Sequence, residues 1–172
     1  MARIVAIVPF TICMLVNGCE GALKWISLII FIAAAITDTL DGYIARRDHL
    51  VTDFGKFMDP LADKIIVCAA MICLVYLGRL APVVCIIIIA REFIISGFRL
   101  IASDNGIVIA ASMWGKTKTV AQMIMVILLI ADFETGPIHV FTIIVVVAAT
   151  VLTIISLVDY VWKNRQVIST TK

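Results

Sequence analysis

Long apolar runs separated by short polar breaks make up almost the whole chain. The breaks carry turn chemistry: Asn17-Gly18, Gly78, Ala81-Pro82, Asp104-Asn105-Gly106 and Thr135-Gly136-Pro137. A membrane-crossing helix needs about 20 mostly apolar residues, rising about 1.5 Å each through a hydrocarbon layer of about 30 Å. Counted this way, the runs predict six helices, over residues 2–17, 24–46, 56–77, 81–102, 114–131 and 138–162. The predicted fold class is therefore an all-α integral membrane protein, a six-transmembrane-helix bundle. No internal repeat, low-complexity stretch or linker interrupts it, so residues 1–172 read as a single domain. The opening run, Met1 to Val16 with Arg3, is short like a secretory leader, but no small-residue cleavage pattern follows, and a retained first span is expected.

Composition agrees with the pattern. Of the 172 residues 63% are hydrophobic, against roughly 45 to 50% in soluble domains. The net charge of +2 gives no reason to expect a nucleic-acid partner. Where the cations sit is more informative. Arg46, Arg47, Lys56, Lys116, Lys118, Lys163, Arg165 and Lys172 fall at one set of helix ends with Arg3, whereas the opposite loops hold Lys24 and Arg79. Both termini and the 46–56 loop are accordingly expected in the cytoplasm. Cys13, Cys19, Cys68, Cys73 and Cys85 lie mostly within apolar runs without CxxC spacing, which suits small buried hydrophobes rather than disulfides or a zinc site. His49 and His139 fall near opposite faces and cannot readily share a metal; Trp25, Trp114 and Trp162 suit interfacial anchoring.

The polar residues with chemistry in them are gathered around one predicted loop. The second helix ends with Asp38 and Asp41, three residues apart, and the third begins with Asp59 and Asp63, four apart, so each pair shares a helix face. An ionised carboxylate at the centre of a membrane helix costs about 2.5 kcal/mol or more. Two antiparallel helices would bring the pairs face to face, and divalent cations would neutralise the cluster. Oxygen ligands suit magnesium or manganese, and paired metals between carboxylates commonly serve phosphoryl chemistry. Gly42 and Ala45 leave room for a bulky group to approach, and Arg46 offers a fork of donors to a diphosphate. The plainer alternative is a set of salt bridges to Arg46, Arg47, Lys56 and Lys64. A cation path is another, although a path would spread ionisable groups through the membrane depth instead of gathering them at one end.

The run Asp38-x2-Asp41-Gly42-x2-Ala45-Arg46-x8-Gly55-x3-Asp59-x3-Asp63 resembles the complete signature of the CDP-alcohol phosphotransferases. That resemblance implies a six-helix membrane enzyme, commonly a homodimer, that exchanges CMP on a CDP-linked lipid for an alcohol. It implies that Asp38, Asp41 and Asp59 ligate two Mg2+ ions (Mn2+ as a substitute), Asp38 and Asp59 bridging both. Asp63 would contact the second metal and accept the proton of the attacking hydroxyl. Gly42, Ala45, Arg46, Thr52 and Gly55 would hold the CDP-diacylglycerol.

Further stretches, Ile86 to Phe93, Ser96 to Arg99 and Trp114 to Thr119, are similar to those of phosphatidylglycerophosphate synthases within that family. The implied acceptor is glycerol 3-phosphate, with phosphatidylglycerol, serine or an inositol phosphate as alternatives, and the implied location is a bacterial inner membrane, with a mitochondrial one as the alternative. A dianionic acceptor beside a carboxylate cluster needs its own cations, and Arg99, Lys116, Lys118 and Arg91 are the candidates. For Lys116 and Lys118 the plain reading is a positive-inside anchor, and for Arg91 a charge pair with Glu92. The start departs from the family pattern: Arg3 and Pro9 match it, but the Asn and Thr expected before them are absent, so the interfacial helix is expected to be missing or truncated.

Overall fold

A computed structural model describes residues 2–47, 53–104, 113–133 and 136–164, with side chains placed for 6–16, 18–37, 64–99, 102, 113–133 and 136–164. The described residues form six α-helices and no strand: α1 (Ala2–Leu15), α2 (Ala22–Arg47), α3 (Asp53–Tyr76), α4 (Pro82–Asp104), α5 (Met113–Ala131) and α6 (Gly136–Lys163), with a 3-10 turn at Val16–Cys19 after α1. The largest difference from the sequence expectation is at α3, which starts at Asp53 and so takes residues 53–55 into its first turn. An acidic residue is favoured at a helix start, where the backbone N–H groups lack partners. Two helices, α5 and α6, are long and apolar enough to cross a membrane; shorter apolar stretches run over Ala6–Leu15, Ala22–Thr37 and Lys64–Tyr76.

Backbone packing divides the chain into two compact units. The first comprises Met1–Leu80 with Val126–Asp132. Here α1 packs against both α2 and α3, which also touch each other. Phe10 and Phe31 meet with ring centroids 6.1 Å apart, and Met14, Ala34, Ile66, Ala70, Met71 and Leu74 complete a closed apolar core. Cys19 is buried as a free thiol, its Sγ 3.5 Å from Met14 Sδ and 3.7 Å from Ser27 Oγ.

One end of this unit is fastened by Arg79. The α3 helix stops at Gly78, whose φ of 73° is left-handed. Gly78 N–H donates to Val75 O at 3.0 Å and Arg79 N–H to Leu74 O at 2.9 Å, the paired bonds of a Schellman cap. That cap turns Arg79 toward the ends of two other helices. Its Nη2 lies 3.3 Å from Gly18 O, just after α1, and 2.8 Å from Asp132 Oδ2, just after α5. The α2 helix leaves from this end and α3 returns to it, so the 38–47 and 53–63 backbone lies toward the other end of the unit.

The second unit comprises Ala81–Met125 with Phe133–Lys172. Here α4 packs along α6. The two run parallel, because Arg91 meets Ser156 while Phe98 and Arg99 meet Tyr160 further along both helices. The contact face of α6 is made of Ala149, Thr153, Ser156 and Tyr160. Its other faces expose Val140, Phe141, Ile144, Val147, Val151, Ile154 and Val158. So continuous an apolar surface is rare on a soluble monomer and suits a lipid surround. Trp25, Trp114 and Trp162 are exposed, as interfacial anchors would be.

Candidate active site

The acidic stretches of the sequence fall on helical backbone. Residues 38–47 belong to α2 and 53–63 to α3 without a break. At about 1.5 Å rise per residue, Asp38 and Asp41 are separated by about 4.5 Å along the axis, and Asp59 and Asp63 by about 6 Å. The side chains of Asp38, Asp41, Gly42, Ala45, Arg46, Gly55, Asp59 and Asp63 lie outside the described residues, as does the whole of Thr52. The chemistry of this donor set fits a hard divalent cation: it is all carboxylate oxygen, without the thiolate or imidazole that would favour zinc. Among the described residues no three His, Cys, Asp or Glu side chains come together as a metal-binding group.

The basic candidates divide into three settings. Arg91 and Lys118 are brought together although 27 residues separate them in the chain, because both bind one carboxylate. Glu92 Oε1 accepts from Arg91 Nη1 at 3.0 Å and from Lys118 Nζ. All three are buried, Lys118 to 2% exposure. Lys118 is therefore no surface anchor, and the Arg91–Glu92 pair is one half of a larger cluster. The shared carboxylate thus ties α4 to α5 through two buried charge-assisted contacts. Arg91 also donates through Nη2 to Ser156 Oγ on α6, while its Nε is buried without a partner. Gly115, at the start of α5, leaves space beside the guanidinium: a Cβ there would sit 3.7 Å from Arg91 Nη2.

Arg99 lies two turns further along α4 and is exposed; its guanidinium carbon is 6.0 Å from the centroid of the Tyr160 ring, within cation–π range. Phe98 packs edge-on against the same ring at 6.3 Å. Lys116 is exposed.

Three residues of this region were not singled out by the sequence as site residues: Glu92 as the shared counter-charge, Ser156 and Tyr160. The signal for the last two was present. On a helix otherwise filled by Val and Ile, Ala149, Thr153, Ser156 and Tyr160 recur at spacings of four, three and four, the period of one helix face.

Comparisons with known proteins identify the family. Residues 1–161 match the family model for CDP-alcohol phosphatidyltransferase. Over 98 residues, 57% of this chain and 51% of the relative, the chain is 53% identical to the CDP-diacylglycerol--glycerol-3-phosphate 3-phosphatidyltransferase of Bacillus subtilis. It is 40% identical over 145 residues, 84% of this chain and 68% of the relative, to a Mycobacterium tuberculosis protein named "Probable phosphatidylglycerophosphate synthase". Over 130 residues, 76% of this chain and 71% of the relative, it is 37% identical to the CDP-diacylglycerol--glycerol-3-phosphate 3-phosphatidyltransferase of Rickettsia bellii. The match thus spans about half the length of the first relative and about two thirds of the other two. With the family model covering nearly the whole chain, the chain belongs to the CDP-alcohol phosphatidyltransferase family, transferases of phospholipid biosynthesis.

Proposed function

We propose that the protein transfers the phosphatidyl group of CDP-diacylglycerol to glycerol 3-phosphate, giving phosphatidylglycerophosphate and CMP. The family match supports the reaction class. The observation that carries the choice of acceptor is the cluster in which Arg91 and Lys118, far apart in the chain, gather around Glu92, a concentration of cations suited to an anionic acceptor. The names of the relatives point the same way.

In this reading the chain is a six-span protein of a bacterial inner membrane, working as a homodimer. Both termini and the 48–52 connection lie in the cytoplasm, and the Arg79 end faces outward. Asp38, Asp41, Asp59 and Asp63 would hold two Mg2+ ions, which when bound supply the positive charge that makes the diphosphate reactive and CMP a tolerable leaving group. Gly42, Ala45, Arg46, Thr52 and Gly55 hold the CDP portion. Arg91, Arg99, Lys116 and Lys118 take the phosphate of the acceptor. The acceptor's hydroxyl oxygen bonds to the diacylglycerol-bearing phosphorus, the bond from that phosphorus to CMP breaks, and the hydroxyl proton passes to Asp63. Atoms and charge balance without any further reactant.

The test is CMP release by the purified chain in detergent with CDP-diacylglycerol and Mg2+, with and without glycerol 3-phosphate, and with Asp63→Asn as control. Release that requires glycerol 3-phosphate and is lost in the variant is expected. Release driven instead by serine, an inositol phosphate or phosphatidylglycerol would keep the reaction and overturn the acceptor. Release with no alcohol, by folded protein, would overturn the reaction.

A further inference from the structure

The chain passes between the two compact units at three places: from Leu80 to Ala81, from Met125 to Val126 within α5, and from Asp132 to Phe133. All three are gathered on one short piece of chain. Val126–Asp132, the last turns of α5 and the residue after them, belongs to the first unit, and Val126 and Ile130 on it are fully buried. The second crossing is at its start and the third at its end, about 9 Å apart along the helix axis. The first is brought to that same end by an ion pair, in which Arg79, two residues before Ala81, holds Asp132 Oδ2 at 2.8 Å through Nη2.

These two connections also turn through a left-handed residue just before they leave, Gly78 at φ 73° and Asp132 at φ 45°. Non-glycine residues are uncommon in that conformation, aspartate being one of the few that tolerate it. The carboxylate that binds Arg79 is therefore carried by the residue on which the chain turns. Three crossings strung along one axis are the layout of a hinge, in which a few residues at element ends take up the rotation.

Nothing in the reaction as proposed above uses Arg79 or Asp132. That reaction nevertheless draws on both units: the acid signature stands on α2 and α3 in the first, and Arg91, Arg99, Lys116 and Lys118 belong to the second. Bringing two reactants into line then depends on what joins the units, and a misplacement of about 1 Å can cost about a hundredfold in rate.

Resting on the function proposed above, we infer that the end of α5 is a hinge axis and that the Arg79–Asp132 pair is its fixed end. The pair makes the Leu80 and Asp132 connections leave the first unit from one point, so that the second unit rotates about Val126–Asp132 during turnover and does not drift. Neither residue meets substrate, and both are positioning residues.

The experiment uses the full chain in detergent with its native cysteines. A ketone-bearing phenylalanine analogue replaces Tyr76 in the first unit and Trp162 in the second, 76% and 69% exposed. Both are spin-labelled, and pulsed electron resonance reads the distance between them. Wild type, Asp132→Asn, Arg79→Gln and the double variant are compared without substrate, with CDP-diacylglycerol and Mg2+, and with glycerol 3-phosphate added. Substrate is expected to shift the distance in wild type, and the variants to give a broader distribution. Asparagine keeps the shape of aspartate and suits a left-handed turn, and a partly exposed ion pair adds little stability, so Asp132→Asn lowers the melting temperature by no more than about 4 °C. At saturating substrates its kcat nevertheless falls about tenfold. The double variant is no slower than Arg79→Gln, as for two residues acting through one bond.

A wild-type distance that substrate leaves unchanged overturns the hinge and leaves the proposed function standing. A shift in wild type, with variants that match it in both width and kcat, overturns the role of the pair. A fall in kcat that follows the folded fraction, at unaltered distance, overturns it in favour of a plain stabilising bond. Wild-type CMP release that ignores glycerol 3-phosphate overturns the proposed function, while the shift with CDP-diacylglycerol alone still decides the hinge.

Discussion

Substituting Glu92 by Gln removes the one carboxylate shared by Arg91 and Lys118 while keeping its shape. With charges 3.0 Å apart, as for Arg91 Nη1 and Glu92 Oε1, and an effective dielectric constant of about 20, one such attraction amounts to about 5.5 kcal/mol. Relaxation and residual hydrogen bonding lower the observable loss, and breaking a buried pair from one side costs about 3 to 5 kcal/mol. Here the loss lies at the upper part of that range, since two cations rather than one lose this carboxylate. For a chain of this size, about 2 to 4 °C of melting temperature corresponds to each kcal/mol, so a drop of about 10 °C or more is expected. Lys118→Met is the counterpart. It leaves the Arg91–Glu92 pair intact and strands no carboxylate, so the melting temperature should fall by less than in Glu92→Gln. A thiol-reactive fluorogenic dye can follow unfolding, because Cys19, Cys73 and Cys85 are free and buried. A loss in Glu92→Gln no larger than about 0.6 kcal/mol, the average for ordinary interhelical hydrogen bonds in a membrane, would refute the reasoning. So would Lys118→Met proving the less stable of the two.

Three more outcomes follow from particular contacts. Gly78→Ala places a side chain in the left-handed conformation at φ 73°, costs about 1 to 2 kcal/mol, and loosens Arg79 from Gly18 and Asp132; the same dye assay should register a lower melting temperature, and no change would contradict the cap. Gly115→Ala brings a Cβ to 3.7 Å from Arg91 Nη2, an ordinary contact, so the melting temperature should not fall and KM for glycerol 3-phosphate should stay within about twofold of wild type. Chelating divalent cations should stop CMP release, Mg2+ should restore it, and Asp59→Asn should abolish the restoration; activity that survives chelation would count against the acid helices as a metal site.

Much of the fold was legible because lipid and backbone leave few choices. Runs of apolar residues between turn signals placed all six helices within a few residues of their observed bounds, since a buried backbone in an apolar surround must be helical or part of a closed barrel. The start of α3 was misplaced because Asp53 and Gly55 read as loop residues, whereas the helix takes in both. The metal-binding reading rests on spacing within one stretch, which sequence preserves. The grouping of the basic residues does not. Arg91 and Glu92 are neighbours in the chain, and that spacing suggested a simple pair. Their joint use with Lys118 on α5 and Ser156 on α6 depends on which faces of three helices meet, and the meeting face of α6 is marked only by small and hydroxyl residues among Val and Ile. Arg79 was likewise read as an orientation marker, although it also fastens the ends of α1 and α5.

The length of α6 sets the depth at which its polar residues act. Its 28 residues rise about 42 Å, against a hydrocarbon layer of about 30 Å. Standing upright with Gly136 at one boundary, the helix leaves the hydrocarbon at about Ile155. Ser156, Tyr160 and Trp162 then fall among the headgroups, and so does Lys163, paired with Asp159 at 2.7 Å. In the proposed reaction, a lipid that stays in its leaflet and a water-soluble phosphate would meet at that level, neither having to leave its own medium.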